Sequence, residues 1–252
     1  MIKDIEICNH NRFTIMAKEL GYNIFPLREG KPYNINIWGV RSNNQKAGKF
    51  DDLLCVFYYD ENNELVFNKY KVTVDPSDLS LMNMKNKLGV AIIKPGQYNG
   101  SHSLGLHKGQ YEALVQKRPI TVIRDFNKNA ILDTQLNSYF NSHTFSKNGV
   151  VYTEYYDDDN NLIFRDTTGI FGINIHRASA YHILESVGLY SEGCIVFQNP
   201  KEYIEFIDIC KRGAKYYGNS YTLTVVTEQQ IYNSIYNRRS LPINKNSKYK
   251  HI

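Results

Sequence analysis

The feature that most constrains this chain is a series of short runs rich in tyrosine, phenylalanine and β-branched residues, each closed by polar turn residues. "YNINIWGV" (33–40), "LLCVFYY" (53–59), "ELVFNKYKVTV" (64–74) and "YTLTVVT" (221–227) are examples. Runs of this length and content fit half-buried or buried strands and are too short for core helices. With Tyr at 20 and Phe at 12 in 252 residues, the chain has the apolar bulk to fill a sizeable core. The expected class is mainly β, with a few helices.

Turn chemistry punctuates the pattern. "YYDENNELVF" (58–67) is a hairpin candidate, and "YYDDDNNLIF" (155–164) repeats its turn residues. Counted from Asp157, an EF-hand loop needs Gly and an acid where Leu162 and Thr168 stand, so a solvated turn is expected instead. "GVAIIKPGQY" (89–98) reads as a strand broken at Pro95-Gly96, and "GIFGINIH" (169–176) as a strand ending on His176. Residues 130–150 are polar and read as an irregular surface excursion. Residues 9–20 suit a short helix ending at Gly21. Asn199 and Pro200 open a second helix whose Tyr203, Phe206, Ile207 and Cys210 form one apolar stripe.

Charge excludes some partners. The formal charge is +5, and the segment 237–252 carries Arg238, Arg239, Lys245, Lys248 and Lys250 without an acid. Residues 1–236 therefore balance, with no net basic bias towards nucleic acid. The basic tail is either a solvated terminus or a contact with an anionic surface. No stretch has the length of a membrane span, and the N-terminus lacks the apolar core of a signal peptide, so export by the usual signal route is not expected. The cysteines, Cys8, Cys55, Cys194 and Cys210, are widely spaced with no CxxC, which argues against a zinc site or a disulfide framework.

Cys194 is the cysteine in an unusual setting. It follows the turn Ser191-Glu192-Gly193 and precedes Ile195-Val196-Phe197. It is either a buried structural thiol or a nucleophile at the mouth of a strand, with His176 as the base that would take its proton. Backbone N–H groups around Gly193 and Cys194 are candidates for an oxyanion hole. Ser191 is placed either to orient the imidazole or to bond the turn. His102 and His107 have three readings: a metal pair with Asp75 or Asp125, a lining of the cleft, or hydrogen-bonded loop histidines.

The order His176, spacer, Ser191-Glu192-Gly193-Cys194-Ile195-Val196 resembles the signature of the L,D-transpeptidase (YkuD-like) catalytic domain. "IIKPGQY", with Pro95, Gly96 and Tyr98, is similar to that family's TPxGxY/F segment. A wider set looks like a phage-encoded branch: Asn36 to Arg41, Asp75-Pro76, Gly89 to Tyr98, Gly105 to Gln116, and Arg124-Asp125-Phe126-Asn127. The resemblance implies a YkuD-like β-sandwich over residues 35–228, with a helix after the Cys motif, an N-terminal extension (1–34) and a basic tail (229–252). It implies Cys194 as nucleophile, His176 as general base, Ser191 as a supporting hydrogen bonder, and the Gly193 and Cys194 amides as the oxyanion hole. The substrate implied is a peptidoglycan stem peptide, with no metal or other cofactor. A phage protein would reach the wall through a holin or within a virion, among virion partners. The chain departs from the signature at Glu192, where the family has His, and at Val196, where it has Arg or Asn. Arg177, His107, Tyr98 and Glu192 are the candidate substrate-binding residues. Arg177 is either a carboxylate fork or a surface residue paired with Glu185 or Glu192.

Overall fold

The computed structural model describes residues 5–26, 28, 30–134 and 141–239. A 3-10 turn leads into helix α1 (His10–Leu20). Asn9 caps it by accepting the Arg12 N–H at 3.0 Å, and Gly21 ends it in the left-handed region, as the sequence predicts. Then follow β1 (Asn36–Arg41), β2 (Asp52–Tyr59), β3 (Leu65–Thr73), α2 (Asp78–Met82), β4 (Val90–Ile93) and β5 (Gly96–His107). Next come β6 (Tyr111–Gln116), β7 (Ile120–Asp125), β8 (Ser142–Lys147), β9 (Val150–Tyr156) and β10 (Leu162–Gly169). The chain continues through β11 (Ile175–Arg177), β12 (Ile195–Phe197), α3 (Pro200–Tyr217), β13 (Tyr221–Thr227) and α4 (Glu228–Arg239).

The protein is mainly β. Its strands divide between a closed barrel, in the order β1-β13-β5-β6-β11-β12-β3-β2, and a five-stranded sheet, β4-β7-β10-β9-β8. A closed barrel thus stands where two open sheets of a sandwich are expected. Closure depends on the parallel pairing of β1 with β13, Ile37 opposite Leu223, which joins the two ends of the barrel sequence. Inward residues from alternate positions, among them Leu54, Val56, Val72, Ile175, Ile195 and Leu223, fill the barrel. Helix α3 adds the predicted stripe, Tyr203, Phe206, Ile207 and Cys210, to the same core.

Helix α1, in the expected N-terminal extension, and the start of α4 pack onto the barrel. Phe13 stacks on Trp38 at 4.7 Å between ring centroids, and Met16 and Ile231 share that outer core. Removing such aromatic surface from water is worth about 25 cal/mol per Å2. The tail beyond Arg239, with Lys245, Lys248 and Lys250, lies outside the described residues.

Two sequence expectations change. The surface excursion over 130–150 contains ordered structure: β8 and β9 form a hairpin through Asn148-Gly149, both at positive φ (53° and 76°). That pair is the turn chemistry a two-residue hairpin requires. Residues 135–140 lie outside the described residues. The expected strand 169–176 is regular only from Ile175. The Gln116 side-chain oxygen accepts the N–H groups of Phe171 and Ile173, in place of a strand partner.

Candidate functional site

The site grows from the parallel pairing of β11 with β12, where Ile175 stands opposite Ile195 and His176 opposite Val196. The Ile195 N–H donates to the Asn174 carbonyl at 3.0 Å, which continues that register one residue back, to Asn174 and Cys194. Ile175, Ile195 and Phe197 enter the barrel core. By strand alternation Asn174, His176, Cys194 and Val196 take the opposite face. The 18-residue separation in sequence thus becomes an adjacency on one face.

The turn before Cys194 is held from beneath. Ser191 is fully buried, with Oγ 2.9 Å from the Asp75 carbonyl and 2.8 Å from the Cys194 carbonyl, and it accepts the Gly193 N–H at 3.2 Å. The Ser191 carbonyl accepts from the Ser77 N–H and the Ser80 hydroxyl, both at 2.9 Å. Ser191 therefore bonds the turn and has no bond to the imidazole. Gly193 sits at φ 120°, and a Cβ there would stand 2.3 Å from the Ala91 carbonyl oxygen. Only glycine fits this close approach to β4. The expected oxyanion pair is corrected in part, because Ser191 already occupies the Gly193 N–H.

His176 is buried. Its Nδ1 lies 2.9 Å from the Arg177 carbonyl and 3.3 Å from the Tyr111 hydroxyl. A carbonyl only accepts, so Nδ1 carries the proton and Nε2 is the basic nitrogen of this tautomer; the Tyr190 backbone also bonds the ring. Burial lowers the pKa to about 3, with the neighbouring His107 adding to the effect, so the ring is neutral at neutral pH. His107 stacks on it at 4.1 Å between centroids and accepts from the Asn174 side-chain amide at 3.1 Å. The Cys194 sulfur accepts the Asn174 N–H at 3.4 Å and lies 3.6 Å from the Gly172 carbonyl. No hydrogen bond joins it to His176. Burial pushes the thiol up to about 11, so thiol and imidazole rest as a neutral pair and not as thiolate and imidazolium.

Cys194, His176, His107 and Glu192 line one cavity of about 780 Å3, walled by α2, β4, β7 and the segments 171–174 and 189–192. Glu192 is paired with Lys85, so the position that departs from the family signature forms a surface ion pair at the cavity rim. Two expected binding residues lie elsewhere. Tyr98 turns its hydroxyl onto the Lys94 and Thr121 carbonyls and fastens the corner between β4 and β5. Arg177 stacks over the Tyr111 ring at 4.3 Å and pairs with neither Glu185 nor Glu192. His102 is separate from His107. It is hydrogen-bonded, as one reading expects, but within strand β5 and not a loop: it is buried between the Ser101 hydroxyl and the Ile173 carbonyl, and burial lowers its pKa to about 4.

Sequence reasoning missed Asn174, which touches both the sulfur and His107, and Arg124, which lines the same cavity from β7. The signal for Arg124 was a cation inside the apolar strand "ITVIRD". The fold and site define a mainly β protein in which a cavity of about 780 Å3 carries a cysteine and a histidine on one face. No family model, curated protein or solved structure matches the chain. Among the described residues no helix is long and apolar enough to cross a membrane.

Proposed function

We propose that this protein is a cysteine-dependent acyltransferase or peptidase of the L,D-transpeptidase type, acting on peptidoglycan stem peptides and derived from a phage. The observation that carries the reading is the placement of Cys194 and His176 on one face of neighbouring parallel strands, both lining one cavity, with the His176 Nδ1 anchored to backbone. The Cys194 sulfur attacks a stem-peptide carbonyl carbon as its proton passes to Nε2 of His176. The carbon–nitrogen bond then breaks, and the imidazolium returns that proton to the departing amine, leaving a thioester. An amine acceptor or water attacks the thioester, giving a cross-link or a free acid. His176 takes the attacker's proton and returns it to the sulfur. The Cys194 N–H is the candidate donor to the developing oxyanion, since the Gly193 N–H is engaged. Because the resting pair is neutral, proton transfer accompanies attack. Movement of the sulfur from the Gly172 carbonyl towards the imidazole is part of substrate binding.

The reading rests on the site more than on the fold, since a barrel with an attached sheet differs from a YkuD-like sandwich. A second reading is a virion or tail protein that binds wall peptide without cutting it. It draws on the sulfur's hydrogen bonds to residues 172 and 174 in place of the imidazole. Digestion of purified cell wall separates the two. Muropeptides analysed by mass should include shortened, hydrolysed or newly joined species with the wild type and none with Cys194→Ala. Profiles identical to untreated wall with both proteins would sink the enzymatic reading.

A further inference from the structure

Arg124 is only 5% exposed, yet it lines the cavity that holds Cys194. Its Nε–H donates to Thr167 Oγ1 at 2.8 Å, and its Nη1 reaches the Gly89 carbonyl at a long 3.4 Å. Phe171 covers one face of the guanidinium at 4.5 Å. A guanidinium has five N–H donors, so most of them are left without a protein acceptor. Nη2 has no protein acceptor, yet it is not among the sealed, unpartnered polar atoms of the described residues, so its two N–H groups open onto the cavity.

Among the described residues no carboxylate forms an ion pair with Arg124. Asp166 pairs with Lys94, Glu154 with Arg165, and Glu192 with Lys85. The cavity lining holds three cations, Lys85, Lys108 and Arg124, against the single carboxylate of Glu192. Burying a charge without a partner is costly, and an incoming anion would relieve that cost. Burial lowers the Arg124 pKa to about 10, which leaves it protonated at neutral pH.

The position relative to the sulfur is fixed by the backbone. Arg124 pairs with Ala91 across β4 and β7, and the Ala91 carbonyl is the atom against which Gly193 closes. Phe171, over the guanidinium, begins the short wall whose Gly172 and Asn174 touch the Cys194 sulfur. Cation and sulfur therefore contact the same four-residue segment, the cation at Phe171 and the sulfur at Gly172 and Asn174.

We infer that Arg124 is the anion-binding residue of this cavity and holds a free carboxylate of the peptide whose carbonyl meets Cys194. The identity of that peptide rests on the function proposed above; the anion site rests on the geometry of Arg124. Arg124 thus takes the role expected of Arg177, which is occupied with Tyr111 outside the cavity.

The test uses Cys194→Ala, so that no turnover intervenes, and calorimetry with a synthetic stem tetrapeptide and its C-terminal amide. The free acid should bind at least about tenfold tighter than the amide, as expected for a charge-assisted arginine–carboxylate contact. Adding Arg124→Gln should abolish that preference, and Arg124→Lys should restore part of it. Equal binding of acid and amide, or a preference that survives Arg124→Gln, overturns the inference. In parallel, acetate and acetamide are titrated against the backbone amide resonances of Phe171 and Gly172. Should neither peptide bind, a saturable shift with acetate alone, lost in Arg124→Gln, upholds the anion site and counts only against the peptide reading. No shift with acetate overturns the site itself.

Discussion

His176→Ala should lower turnover of a stem peptide by about 10²–10⁴-fold, the range lost with a general base. The effect should fall mainly on kcat, because the imidazole acts on the moving proton and not on substrate recognition. The pH profile carries a second signature. Burial and His107 hold the His176 pKa near 3, below the ordinary imidazole value of about 6.5. The base is the unprotonated form, so activity is retained as pH falls through 6.5 and is lost only on approach to the lowered pKa. An acid limb of kcat/KM at 6.5 or above would contradict the assignment of His176 as the buried base. The same group links pH to stability. A depressed folded pKa means that the unfolded chain binds more protons below about pH 6.5, so the contribution of His176 to stability falls as pH drops through that window.

Gly193→Ala should damage both fold and function. The residue sits at φ 120°, where an L side chain is strained, and the new Cβ would stand 2.3 Å from the Ala91 carbonyl oxygen and 3.2 Å from Ile173 Cδ1. Backbone strain costs about 1–3 kcal/mol, and relief of the clash a further 1–3 kcal/mol or so. For a chain of this length the thermal midpoint should fall by roughly 4 °C or more. Gly172→Ala is the control: φ is 74° and nothing lies within 4 Å of its Cβ position, so only the strain remains. Equal melting of the two variants would show that the approach of the Cys194 turn to β4 does not hold this site together. Activity should fall further than stability in Gly193→Ala, because the turn sets where Cys194 stands.

Much of this was legible in the chain. Turn residues and short apolar runs foretell the β2–β3 hairpin, where the Asp60 carboxylate accepts the Asn62 and Glu64 N–H groups. Asn199 and Pro200 foretell α3, and strand alternation explains why His176 and Cys194 share a face. What was not legible depends on distant pairing. No local pattern reports that β1 meets β13 in parallel and closes a barrel. Nor does it report that the Gln116 side chain stands in for a strand beside residues 171–173. Tyr98 and Arg177 fit the expected motifs by letter. Their directions were set by a corner and by the Tyr111 ring, which only the folded chain supplies. Arg124 was visible as a cation in an apolar strand, but whether a carboxylate waited opposite was a tertiary question.

The central claim is that Cys194 becomes acylated. Wild-type protein is incubated with a stem peptide, quenched in acid, and its intact mass and digested peptides are measured. The account predicts a mass gain equal to the acyl fragment, confined to the peptide containing Cys194, released by hydroxylamine and absent from Cys194→Ala. Peptide turnover by Cys194→Ala at the wild-type rate, or turnover by the wild type with the acyl group on another residue, would contradict it.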